Sequence, residues 1–214
     1  MEDGFALSDP QPVRGGEFAL CPLMTATLLS AVGRPSRPWK NGGGETRDVF
    51  ISPPSATLDG FDWRLSLADV TEPGPFSAFP GVHRTLCVLE GELELQVEGT
   101  APQRLGPNSP AASFPGDIAV FGRPVGGPAK DLNLMVRRAT HVGSIHRLAA
   151  GPTPALLETV CTQIIFAIAP MTVRLGAAEY ALQRYDALMF SPKAPHGEPI
   201  WSSLPAIGVT FQAG

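Results

Sequence analysis

Apolar residues in this chain recur at every second position, in short runs that glycine or proline stops. Residues 61–69 (FDWRLSLAD) place Phe61, Trp63, Leu65 and Leu67 on one face and Asp62, Arg64, Ser66 and Ala68 on the other. Residues 92–98 (ELELQVE) do the same with Leu93, Leu95 and Val97 against Glu92, Glu94, Gln96 and Glu98. A period of two is the signature of a strand with one face in a core. No long segment carries the 3.6-residue period of a helix. The 23 glycines and 23 prolines stand beside a 43% hydrophobic content, which makes them corners between strands rather than a mark of disorder.

Further runs at 83–89 (HRTLCVL), 114–121 (FPGDIAVF), 131–138 (DLNLMVRR), 159–169, 171–175, 178–190 and 207–211 extend the pattern to the C-terminus. HRTLCVL and ELELQVE are separated by Glu90-Gly91 and read as a hairpin. FDWRLSLAD reads as a half-buried strand. Asp117-Ile-Ala-Val-Phe121 and Asp186-Ala-Leu-Met-Phe190 echo one another 69 positions apart, each an aspartate at a turn before an apolar strand. The expected architecture is all-β with two barrel-like halves, and the echoed turn, aspartate and apolar strand are features that cupin-like barrels of the jelly-roll type also carry. Residues 1–22 form a poorly ordered extension, 23–140 a first barrel and 141–214 a second, with strands exchanged between the halves.

A formal net charge of -4 gives no general attraction to nucleic acid or anionic membranes. Nowhere do some 18 apolar residues run together, and no secretory signal is evident at the N-terminus. Cys21, Cys87 and Cys161 are far apart and odd in number, as expected of reduced thiols, and the chain is read as cytoplasmic. Thirteen of the 16 basic residues are arginine, the side chain suited to a carboxylate's two oxygens, although GC-rich coding would produce the same bias.

Metal-binding barrels of this type gather a His-x-His pair, a glutamate and a distant third histidine. Here His83 stands alone, His141 and His146 lie five apart, His196 follows Ala-Pro, and no metal site or other cofactor is expected. The unusual stretch is Trp39-Lys40-Asn41-Gly42-Gly43-Gly44-Glu45-Thr46-Arg47. Three glycines allow backbone N–H groups near Asn41 and Gly43 to turn toward an anion, with Lys40 and Arg47 adding positive charge. The same glycines serve equally well as a crossing loop that relieves close packing.

WKNGGGETRDV, FDWRLSLADVTEPGPFSAFPGVHRTLCVLEGELEL and DLNLMVRR, in that order, resemble the signature blocks of the HutD/Ves family of bacterial proteins, over roughly residues 24–212. The resemblance implies a bicupin fold, a homodimer and, in the HutD branch, a link to histidine utilisation. It also implies binding of an intermediate such as urocanate or a formimino or formyl compound, with no defined catalytic set.

Within those blocks the residues themselves supply candidates for gripping a small organic anion. Arg64 is on the polar face of its strand and needs a partner, either an internal Asp62 or Asp131 or a ligand carboxylate. Arg84 and His83 open the next strand. Asp131 and Asn133, two apart, share one face and suit a ligand's N–H and carbonyl groups. Lys40, Arg64 or Arg84 would hold the carboxylate, and Asp131, Asn133 or His83 the other edge. The rival readings are a cofactor-free hydrolase or isomerase using Asp131 or His83 as base, and a protein-interaction scaffold.

Overall fold

The computed structural model describes residues 26–39, 42–153, 162–190 and 200–213. They form nineteen strands and no helix. The strands are β1 (Ala26–Leu29), β2 (Ser36–Pro38), β3 (Gly44–Ser52), β4 (Trp63–Val70), β5 (Gly74–Pro75), β6 (Val82–Glu90), β7 (Leu93–Val97), β8 (Gln103–Leu105), β9 (Ala112–Pro115) and β10 (Val120–Pro124). They continue as β11 (Ala129–Arg137), β12 (His141–Leu148), β13 (Gly151–Thr153), β14 (Thr162–Phe166), β15 (Met171–Leu175), β16 (Ala178–Leu182), β17 (Ala187–Phe190), β18 (Ile200–Ser202) and β19 (Ala206–Ala213).

In the first half a six-stranded sheet, β2-β3-β4-β11-β6-β9, faces a four-stranded sheet, β5-β10-β7-β8. Leu86, Val88, Leu93, Leu95, Val97 and Val120 pack between them. The second half repeats the arrangement with β1-β17-β14-β19-β12 over β13-β18-β15-β16, around Ile165, Val173, Leu182 and Leu188. The all-β expectation holds, and each half is two sheets face to face without ladder hydrogen bonds joining them among the described residues. Residues 26–29 are out of chain order, because β1 pairs with β17 in the second half. Residues 1–22, Lys40, Asn41, Cys21, Cys161 and His196 lie outside the described residues.

The two large sheets meet through their other faces. Trp63, Leu65, Leu67, Leu132, Leu134 and Val136 of the first pack on Ile164, Phe166, Val209 and Phe211 of the second. Trp63 is stacked between Phe50, at 5.1 Å, and Phe211, at 3.9 Å between ring centroids. β4 is therefore covered on both sides, and the half-buried reading of FDWRLSLAD is corrected: its polar face looks into a second core rather than solvent.

The hairpin expected at Glu90-Gly91 is also corrected. β6 pairs with β11 and β9, whereas β7 pairs with β10 and β8, so the chain passes from one sheet to the facing one at this point. Gly91 has φ +67°, and a Cβ there would run into the Pro128 carbonyl. Gly91→Ala is expected to lower the unfolding free energy by about 1–3 kcal/mol or more, read from urea denaturation. An unchanged midpoint would show that the corner relaxes freely.

Candidate functional site

Three neighbouring strands of the six-stranded sheet turn one face toward the four-stranded sheet, and their register sets polar residues side by side. Arg64 on β4 opposes Met135 on β11, which opposes Arg84 on β6, which opposes Phe114 on β9. One step along, Ser66, Asn133 and Leu86 form the next row, and Ala68, Asp131 and Val88 the third. Because the side chains alternate, this face is the one that carries Val70, Val88 and Ala129 into the first-half core. The polar groups are deep inside it: Arg64 is 7% exposed, Arg84 6%, Asn133 7% and Asp131 1%.

The two arginines are held differently. Arg64 donates from Nε to Asp48 Oδ1 at 2.6 Å, with Nη2 at 2.6 Å from the same oxygen and Nη1 3.7 Å from the Met135 sulfur. Asp48 also receives Arg37 at 2.5 Å. Neither Asp62 nor Asp131, the partners considered from sequence, neutralises Arg64. A register shift between Asp48 and Phe50 on β3 aligns Asp48 with Ser66, beside Arg64 on β4.

Among the described residues no carboxylate is in contact with Arg84. Its Nη1 reaches only the Ser77 carbonyl at 3.3 Å, while its guanidinium carbon lies 5.2, 5.9 and 5.3 Å from the ring centroids of Phe76, Phe79 and Phe114. Burial draws its pKa down to about 10, against the attraction of Asp131, so it stays charged at neutral pH. Burial likewise pushes the Asp131 carboxyl up to about 7, opposed by Arg84 and Lys130 and reinforced by Asp69.

Among the described residues three polar atoms of this interior lack a hydrogen-bond partner: Arg84 Nε, Asp131 Oδ1 and Asn133 Oδ1. Each such buried group costs about 1–3 kcal/mol, and native proteins seldom leave several together. The three are one donor and two acceptors on the adjacent strands β6 and β11. Phe76 and Phe114 frame them with flat apolar surface.

Other sequence candidates lie elsewhere or are otherwise engaged. His83 is half-buried on the opposite face of β6 from Arg84, its pKa lowered by burial and by Arg138, because adjacent strand residues point to opposite sides. The Gly43 carbonyl accepts the N–H groups of Thr71, at 3.0 Å, and Glu72, at 3.2 Å. At Gly44 a Cβ would strike the Asp69 carbonyl, so at that position glycine serves close packing. Trp39, in the same segment, donates to Thr46 Oγ1 at 2.7 Å and meets Phe76 edge-on at 5.9 Å. The echoed aspartates are both bound within turns, Asp117 to Arg138 and Asp186 to the N–H groups of Ala31 and Gln183. Among the described residues no three His, Cys, Asp or Glu side chains are placed to hold a metal ion.

Asp48, Ser77, Phe76 and Phe114 went unmarked in the sequence. For Asp48 the signal was the alternation of Thr46 and Asp48 in the glycine-rich block, hidden by the bulge that follows. Nothing in the local pattern marks Phe76 or Ser77, which stand on a loop. That loop is fastened over the site by the Phe76 N–H to the Val120 carbonyl, 2.8 Å, and the Phe79 N–H to the Gly116 carbonyl, 2.6 Å.

The family model named HutD matches residues 32–200. The chain belongs to the HutD family. An uncharacterised 21.2 kDa protein in the hutC 3′ region of Pseudomonas putida is 36% identical over 165 residues, 75% of this chain and 84% of that protein. Protein Ves of Citrobacter koseri is 42% identical over 102 residues, covering 47% of this HutD-family chain and 52% of Ves. The structure of HutD from Pseudomonas fluorescens SBW25 (formate condition) superposes with a TM-score of 0.76 at 27% identity, over 89% of this chain and 100% of that one. The rows that carry Arg64, Arg84, Asp131 and Asn133 fall within the segment the HutD model matches.

Proposed function

We propose that this HutD-family chain binds a small organic anion between the two sheets of its first half, without a metal, and so moderates histidine utilisation. The observation that carries the reading is the set of unpartnered atoms on Arg84, Asp131 and Asn133, with the buried Arg84 guanidinium touched by no carboxylate among the described residues. For a urocanate-like ligand, Arg84 takes the carboxylate, Asp131 and Asn133 take the imidazole edge, and the phenylalanines cover the flat face. Arg64, already paired with Asp48, shapes the wall. Lys40 remains a second candidate for the carboxylate. The hutC-region relative supports the histidine-utilisation setting, in which the protein acts as a cytoplasmic homodimer.

Calorimetry with urocanate and with formimino-glutamate tests this. A saturable heat from one of them is the expected result. No heat from either, with unperturbed tryptophan fluorescence, rejects the ligand class.

The second reading, a cofactor-free hydrolase or isomerase, is favoured by one observation: a buried Asp131 carboxyl held near neutrality is poised as a general base. Product formation seen by mass spectrometry and abolished by Asp131→Ala would select it over binding alone.

A further inference from the structure

The interior that holds the unpartnered atoms has a charge balance that an incoming anion upsets. Arg64 and Asp48 cancel within one ion pair. Arg84 and Asp131 are the remaining buried opposite charges on this face, and no hydrogen bond joins them. The groups acting on Asp131 are Arg84 from β6, Asp69 from β4 and its chain neighbour Lys130 on β11. Lys130 is itself bonded to Asp69, which also holds Arg47 at 2.7 Å, so neither is free to follow a ligand. From β3 comes Asp48, committed to Arg64 and Arg37. The facing sheet turns Leu93, Leu95, Val97, Leu105 and Val120 inward, while its charged residues Glu94, Arg104 and Arg123 alternate outward with exposed side chains.

Resting on the anion-site reading above, we infer that ligand binding is coupled to the uptake of one proton by Asp131. A carboxylate that reaches Arg84 Nε becomes the second negative charge competing for one buried guanidinium. In a low-dielectric interior two carboxyl groups beside one cation do not both remain ionised, and the one with no solvent contact takes the proton. The proton comes from solvent, adds to the Asp131 carboxylate and returns to solvent when the ligand leaves. No bond in the ligand changes. Protonation also reverses the hydrogen-bonding role of Asp131: Oδ1, now an unpartnered acceptor, becomes part of a carboxylic acid that donates to the ligand. Burial already holds this carboxyl at about 7, so the proton is within reach at neutral pH.

The test is calorimetry of urocanate binding to the full chain at pH 8, in HEPES and in Tris, which differ in ionisation enthalpy. The expected result is a heat that differs between the buffers by an uptake approaching one proton per ligand, and no difference for Asp131→Asn. From pH 7 to 9 the dissociation constant of the unaltered protein is expected to rise about tenfold per unit, and that of Asp131→Asn to stay flat. Equal heats in the two buffers would overturn the proton linkage and leave the anion site standing. No heat in either buffer would overturn the site and the linkage with it. A buffer difference that persists in Asp131→Asn would overturn the assignment to Asp131. Should the variant fail to fold, the pH series on the unaltered protein decides, a flat profile being the overturning result.

Discussion

Arg84→Met is expected to weaken binding of the anionic ligand by at least about 30-fold while leaving the protein as stable as before. Removing one side of a buried, hydrogen-bonded charge pair costs about 2–5 kcal/mol of binding, and about 1.4 kcal/mol is tenfold in Kd. The stability half of the expectation follows from the surroundings. Arg84 sits among Phe76, Phe79 and Phe114 with a single carbonyl bond and, among the described residues, no carboxylate in contact, so its removal relieves a desolvated charge; Asp131, losing that attraction, takes up a proton, and methionine fills a similar volume against the rings. Arg84→Lys keeps the charge but loses the planar fork and is expected to fall between the two. Calorimetry with whichever probe gives heat, alongside thermal unfolding, reads both effects. Undiminished binding by Arg84→Met would remove Arg84 from the site, and a comparable loss in Arg64→Met alone would transfer its role to Arg64.

Asp48→Ala is expected to produce the opposite pattern, a loss of about 3–5 kcal/mol in unfolding free energy. It would leave the buried Arg64 guanidinium without its carboxylate, which is the costly way to break a buried ion pair. Removing both charges together, as Asp48→Ala with Arg64→Met, is expected to recover most of that loss, because two desolvation penalties disappear with the attraction. Urea denaturation of the two single variants and the double variant gives the coupling directly. If Asp48→Ala loses less than about 1 kcal/mol, the pair contributes no more than a surface one. The contrast between the arginines is the functional point: one has its counter-charge bonded to it in the wall, and the other touches no carboxylate among the described residues.

How far the site was legible follows from what alternation can and cannot say. Spacing alone puts Asp131 and Asn133 on one face of β11 and Arg64 on the polar face of β4. That these meet Arg84 depends on β11 lying between β4 and β6 in a given register, with Met135 opposite both arginines. Neither the strand order nor the register is a property of any one segment. His83 and Arg84 are both candidates from the sequence, and the pleat separates them, sending Arg84 into the first-half core and His83 to the other side. Asp48 was overlooked because the bulge between it and Phe50 breaks the two-residue period just where the period would have identified it.

The fold divides in the same way. The alternation in residues 92–98 marks Leu93, Leu95 and Val97 as inward, and they are fully or almost fully buried. It is silent on the partner strand, and the short Glu90-Gly91 link that looks like a hairpin instead carries the chain to the facing sheet. By itself, then, the sequence determined the strongly alternating strands β4, β6, β7 and β11, the face each of their side chains takes and the all-β class, because these follow from local backbone geometry and side-chain period, whereas the runs at 114–121 and 178–190 each divide into two strands. Only the tertiary structure decided which sheets stack, that β4 is buried on both sides, and which arginine keeps an unpartnered nitrogen. Those outcomes depend on contacts between residues far apart in the chain, where burial turns a polar face into the lining of an interior.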